Sequence, residues 1–188
     1  MHGLGREKYI YMGDGSMSRE NVIFIGFMGA GKTSVGRAYA QAAGIPLVDT
    51  DQMIEEEAGM TISDIFQLKG EEFFRETETA VLKKLQKETE PKVISVGGGL
   101  PLREENRALL RELGQVIFLQ VKAETVIERL KGDTTRPLLQ GTDVKQRAEE
   151  LLAYRNPIYR KAAHQIVDVD GKTVEEIVHL IREKEGKN

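Results

Sequence analysis

Eight consecutive residues, Gly26-Phe27-Met28-Gly29-Ala30-Gly31-Lys32-Thr33, satisfy every fixed position of the spacing G-x-x-x-x-G-K-[ST]. They lie between a short apolar run, Val22 to Ile25, and a segment of helical pattern that starts at Lys32. A polyphosphate is held by several N–H groups converging on one point, and glycines let the backbone close around it without side chains intervening. The helix N-terminus adds a partial positive charge. Gly29, Ala30, Gly31, Lys32, Thr33 and Ser34 are therefore expected to cradle the phosphates of a nucleoside triphosphate, with Lys32 reaching the terminal phosphates and Thr33 offering its hydroxyl to Mg2+. The plainer explanation is a glycine-rich turn with an incidental lysine, and the strand before and helix after weigh against it.

The phosphate cradle does not say what receives the phosphoryl group. A second run ends in Val48-Asp49-Thr50-Asp51, and alternation along a strand would put the two carboxylates on one side of its C-terminal end. There Asp49 suits a metal-bound water, and Asp51 suits the attacking hydroxyl, whose proton it would accept. Either could instead cap the following helix. Arg75, within Glu72-Phe73-Phe74-Arg75-Glu76, is a candidate anion ligand or a surface charge paired with Glu71 or Glu78. Gly97-Gly98-Gly99 closes a third run, where a ligand can lie against bare backbone or the chain can simply turn. Arg129 ends a helix, and Gly132 to Gly141 has the composition of a mobile lid that excludes water during transfer. On it Arg136 would neutralise charge developing on the transferred group, unless it is an incidental loop arginine. Arg155 precedes Asn156-Pro157-Ile158-Tyr159, where proline should kink or restart the helix and aim the arginine inward. Two inward arginines, Arg75 and Arg155, suit a small substrate bearing a carboxylate.

These residues need a frame that brings them together. Short apolar runs alternate with longer amphipathic segments from Asn21 onward, the pattern of a parallel sheet with crossover helices. Strands are expected at Val22 to Ile25, Pro46 to Val48, Val93 to Val96, Val116 to Leu119 and Gln165 to Val169. The second to fourth read as covered on both faces, and the last, interrupted by Asp168, as an edge. Helices are expected at Lys32 to Ala43, in two pieces within Thr61 to Glu88, and at Arg103 to Leu113, Ala123 to Lys131, Val144 to Ala163 and Val174 to Lys184. The last opens on a capping box, Thr173 with Glu176.

The chain has 188 residues, of which 40% are hydrophobic and 30% charged, which fits one α/β domain spanning residues 21–188. Residues 1–20 carry no strand or helix period and read as an N-terminal extension outside the fold, disordered or tag-like. A net charge of −3 with interspersed signs offers no basic field for nucleic acid. No apolar run is long enough for a membrane span, and no signal peptide is visible, so a cytoplasmic protein is expected. With no cysteine, disulfides and thiolate chemistry are excluded.

In order and spacing, Gly26 to Gly36, Asp49-Thr50-Asp51, Phe74-Arg75, Gly97-Gly98-Gly99, Arg136-Pro137-Leu138-Leu139 and Arg155-Asn156-Pro157-Ile158-Tyr159 resemble the shikimate kinases. The resemblance runs from about Asn21 to the C-terminus. It implies the three-layer P-loop fold of nucleoside monophosphate kinases, a five-stranded parallel sheet in the order 2-3-1-4-5 with a lid at about 129–142 and a shikimate-binding region at about 51–80. It implies transfer of the ATP γ-phosphate to the 3-hydroxyl of shikimate, by a monomer with Mg2+. Arg75 and Arg155 would take the substrate carboxylate, Asp51 its ring hydroxyls, and Gly97, Gly98 and Gly99 would lie against it. Arg136 would touch both substrates, Arg129 would lie near adenine, Thr33 and, through water, Asp49 would serve the metal, and Lys32, Asp51 and Arg136 would carry catalysis. The segment Asp168 to Lys172 resembles the family's adenine-side loop. A kinase of gluconate or of a nucleoside monophosphate, or a nucleotide-binding regulator without turnover, is the alternative.

Overall fold

Val22, Ile23, Phe24 and Ile25 follow one another without a polar residue, a run that only a strand covered on both faces can bury. In the computed structural model of the protein none of the four is more than 1% exposed. The structure describes residues 10–11, 17–18, 20–131 and 143–185. In chain order its elements are β1 (Ile10–Tyr11), β2 (Met17–Ser18), β3 (Asn21–Ile25), α1 (Lys32–Ala43), β4 (Leu47–Asp49), α2 (Thr50–Ala58), α3 (Ile62–Leu85), β5 (Val93–Ser95), a 3-10 turn (Leu100–Leu102), α4 (Glu104–Leu113), β6 (Gly114–Gln120), α5 (Ala123–Arg129), α6 (Val144–Ala162), β7 (Gln165–Asp168) and α7 (Val174–Glu185). Within the N-terminal segment, read from sequence as lacking strands, β1 and β2 form a two-residue antiparallel pairing separate from the main sheet.

That sheet has five parallel strands in the order β4-β5-β3-β6-β7. Counted from β3 this is 2-3-1-4-5, the order implied by the resemblance. Helices flank it, α1 packing with α7, and α4 with α3 and α6. Parallel strands with crossover helices deliver all their C-terminal ends to one rim, where ligands bind in open sheets. The phosphate loop follows β3, Asp49 ends β4, and Gly97 follows shortly after β5.

β7 alternates buried and exposed residues as expected of an edge. The covering expected for the second strand is not found: β4 is the opposite edge, and all three of its residues are half-exposed. It stops at Asp49 because that side chain accepts the N–H of Asp51 at 3.0 Å and caps α2, a helix the sequence reading did not assign. Only Thr50 and Ile54 of α2 are buried, too few for a visible period. Asp51 thus lies in the first turn of a helix and not on the strand, so the alternation argument fails although both carboxylates reach the same cleft. The two pieces expected within 61–88 are present, since α3 breaks at Gly70, where φ is 82° and ψ 172°. Among the described residues no helix is long and apolar enough to cross a membrane.

At the opposite rim one side chain ties three strands. Asn21 donates from Nδ2 to Leu113 O at 2.8 Å and accepts the Lys92 N–H on Oδ1 at 3.0 Å, pinning the entries to β6 and β5 against β3. Asn21→Ala strands a carbonyl and an N–H together, so the unfolding free energy from urea titration should fall by about 1–3 kcal/mol; an unchanged midpoint and slope would remove the pin.

Candidate active site

The rim opens into a cleft lined among others by Lys32, Thr33, Asp49, Asp51, Gly97 and Gly98. Its floor is the phosphate loop. Gly31 caps α1 with φ 89°, and the first turn of α1 holds no acidic residue of its own at the positive end of the helix. Lys32 Nζ donates to Gly26 O at 2.9 Å and Phe27 O at 3.0 Å, which holds the ammonium over the mouth of the loop. Thr33 Oγ1 donates to Asp49 Oδ2 at 3.1 Å and lies 3.3 Å from Ser95 Oγ. Arg129, in the last turn of α5, donates to Gly29 O at 2.9 Å and to Val169 O at 3.5 Å, joining the loop to the turn after β7. That turn is fixed by Asp170, whose Oδ1 accepts from Thr125 Oγ1 at 2.6 Å and Lys122 N–H at 3.1 Å. Burial pushes the Asp170 carboxyl up, but these bonds outweigh it and hold the group below the usual carboxylate range.

The other wall is the triple-glycine loop, and its three residues each press on a different group. A Cβ on Gly97 would fall 2.6 Å from Asp51 Oδ1 and 3.4 Å from Glu78 Oε1. On Gly98 it would meet Gly26 O of the phosphate loop at 3.4 Å and Tyr159 Oη at 3.7 Å. On Gly99 it would overlap the Arg75 guanidinium, with Cζ at 2.8 Å. The loop is a place where backbone must pass between charged side chains.

Arg75 donates to Glu78 Oε2 at 2.8 Å and to Glu71 Oε1 at 3.2 Å, so it makes both ion pairs foreseen for it while also lying against Gly99. Burial disfavours its charge, but Glu78 and then Glu71 more than offset this and raise its pKa. Glu78 is 1% exposed. Burial drives its carboxyl up to about 7, Asp51 adds to the shift, and Arg75 and Arg103 oppose it.

Arg155 is 7% exposed, with its guanidinium 5.5 Å from the Phe27 ring centroid. Its Nε is buried and has no hydrogen-bond partner among the described residues. The inward aim expected for it is found, but the proline does not produce it. α6 runs through Pro157 without restarting, and its buried stripe is Ala148, Leu152, Arg155, Tyr159 and Ala162, ordinary helical spacing. Tyr159 donates to Gly98 O at 2.6 Å; burial raises its phenol to about 12, against the opposing charges of Arg155 and Arg75.

The structure therefore brings Lys32, Thr33, Asp49, Asp51, Arg75, Arg155 and Gly97 to Gly99 to one rim, with Arg129 bonded to the phosphate loop at Gly29. Arg136, with the lid segment 132–142, lies outside the described residues. From sequence, Glu78 is named only as a possible partner of Arg75, Tyr159 only as the end of the Arg155 motif, and Asn106 not at all. The one available signal was the i, i+3 spacing of Arg75 and Glu78. Among the described residues no three acidic, histidine or cysteine side chains could form a metal cage. The oxygen set of Thr33, Asp49 and Ser95 suits instead a hard cation that keeps several waters and leans on a phosphate.

Comparison with known proteins agrees along most of the chain. The model of the family described as SKI: Shikimate kinase matches residues 28–184. The shikimate kinase of Ralstonia nicotianae is 42% identical over 165 residues, 88% of this chain and 86% of its own length. That of Neisseria gonorrhoeae is 46% identical over 148 residues, 78% of this chain and 86% of its own. A solved structure of shikimate kinase from Acinetobacter baumannii in complex with shikimate has a TM-score of 0.84 at 36% identity, covering 90% of this chain and 94% of that one.

The buried carboxyl gives a pH dependence of known sign. The folded protein holds the Glu78 proton more tightly than the unfolded chain does. Its contribution to stability is complete below about pH 4.5 and is lost as pH rises to about 7. Thermal melts across that window should show stability falling more in the wild-type chain than in Glu78→Gln, which has no proton to lose. Parallel curves would mean that Glu78 titrates elsewhere.

Proposed function

The chain belongs to the shikimate kinase family, and we propose that it transfers the γ-phosphoryl group of ATP to the 3-hydroxyl of shikimate. The observation that carries this reading is that two helices bring arginines to the phosphate cleft: Arg75 of α3 lies against Gly99, and Arg155 of α6 lies over Phe27 of the phosphate loop and beside Tyr159, whose hydroxyl donates to Gly98 O. Arg155, buried with an unpartnered Nε, is a charge that a substrate carboxylate would satisfy; guanidinium and carboxylate match in a two-pronged geometry.

In this reading Gly29 to Ser34 hold the triphosphate, Lys32 neutralises its terminal phosphates, and Arg129 borders the adenine end. Asp51 binds the acceptor hydroxyl and takes its proton as the acceptor oxygen bonds to the γ-phosphorus and the bond from that phosphorus to the bridging oxygen of ADP breaks. Gly97 to Gly99 bound the sugar-like ring, and Arg75 and Arg155 fix its carboxylate. Thr33 and, through water, Asp49 would hold Mg2+, which when bound offsets charge on the β- and γ-phosphates. Arg136 would complete the site from the lid. The reading is completed by a monomer acting in the cytoplasm on two small molecules.

ADP release measured with shikimate, AMP, CMP and gluconate as acceptors should be fastest with shikimate, and clear preference for another acceptor would overturn the assignment. Asp51→Asn should lower turnover by a factor on the order of 100 or more with ATP affinity nearly intact; unchanged turnover would take Asp51 out of the chemistry. Arg155→Ala should raise the KM for shikimate by the equivalent of about 2 kcal/mol or more, and an unaltered KM would contradict the carboxylate role.

A further inference from the structure

The triple-glycine loop carries no side chain of its own to hold it in place, yet it must keep a fixed distance from two arginines on different helices. Two buried polar contacts do this, and both start one helical turn beyond an arginine. On α6, four residues after Arg155, the fully buried Tyr159 donates its hydroxyl to Gly98 O at 2.6 Å. On α3, four residues after Arg75, Thr79 Oγ1 donates to Asn106 Oδ1 at 2.7 Å and lies 3.1 Å from Arg75 O. The fully buried Asn106 in turn donates from Nδ2 to Leu100 O at 2.9 Å, at the exit of the loop.

The Tyr159 bond has a directional effect. Peptide 98–99 is planar and trans, as no described peptide is cis, so turning its carbonyl toward α6 turns the Gly99 N–H away from α6. A buried tyrosine hydroxyl seeks partners: this one donates to the loop carbonyl and meets the Arg155 guanidinium at its oxygen, so it ties the arginine to the loop, and Thr79→Val, which leaves Arg155 untouched, tests the loop by itself. Because Gly98 also abuts Gly26 O and Met28 N of the phosphate loop, fixing it sets the acceptor wall relative to the nucleotide floor as well.

We propose that Tyr159, and the Thr79–Asn106 pair opposite it, are positioning residues that clamp the glycine loop between the two arginine-bearing helices and thereby set affinity for the acid acceptor. The clamp rests on the reading of Gly97 to Gly99, Arg75 and Arg155 as the acceptor site. Neither contact touches substrate. Each acts by holding backbone.

The test is steady-state kinetics of Tyr159→Phe, which keeps the ring packed 5.2 Å from Phe118 and removes only the hydroxyl, together with Thr79→Val on the other side. Each should lower kcat/KM for shikimate about ten-fold while the KM for ATP stays within about two-fold, the split expected when only the acceptor wall loosens. Tyr154→Phe, the same change at a largely exposed position of α6, should change neither. Unchanged shikimate kinetics in both variants would overturn the clamp, as would equal losses toward both substrates accompanying a large fall in melting temperature, the mark of a purely structural role. If one variant fails to fold, the other decides. Lack of shikimate turnover in the unaltered chain would remove the function itself, whereas normal turnover with indifferent variants would remove the clamp alone.

Discussion

Backbone without side chains, squeezed between charges, is the constraint on which the rest of the site depends. At Gly97, Gly98 and Gly99 the chain passes between the Asp51 and Glu78 carboxylates, the phosphate loop and the Arg75 guanidinium, and a Cβ at the first or last of these positions would collide with them. A side chain there would displace the Asp51 carboxylate or the Arg75 guanidinium from its place in the cleft. Gly98 is where the glycine loop and the phosphate loop lie side by side, a Cβ there standing 3.4 Å from Gly26 O.

The charges of the cleft are arranged by burial as much as by sign. The phosphate loop is positive through the N-terminus of α1 and Lys32, with the Asp49 carboxylate at its side. The wall around the glycine loop mixes two arginines with Asp51 and the buried Glu78 carboxyl. Glu78 is held 2.8 Å from Arg75 and is so far removed from water that its proton stays on into the neutral range. Such a pair is a poor source of stability. It is a good way to hold a guanidinium still, since Arg75 is braced from the Glu71 side as well.

Much of the frame was legible because it rests on short-range rules. Uninterrupted apolar runs marked β3, β5 and β6, and the phosphate loop was readable letter by letter because its backbone conformation admits few residues. β4 and α2 were harder, since an edge strand of three residues and an acid-rich helix with two buried positions leave almost no period. For Arg155 the position was right and the cause was not: the stripe Leu152, Arg155, Tyr159 was in the sequence, but proline drew attention from it. The partners of Tyr159 and Thr79 stand 61 and 27 positions away. Polar contacts of that range leave no trace in local pattern, and surface and buried versions of an Arg-x-x-Glu pair look alike until the fold is known.

Gly59 and Gly70 differ from the glycines of the active loop in having open space where a Cβ would stand, at φ of 65° and 82°. They serve direction, not clearance. The stretch between them, the start of α3, is therefore aimed by two backbone bends: a Cβ at either glycine would meet no neighbour, yet it would strain the turn and re-aim that stretch against the sheet.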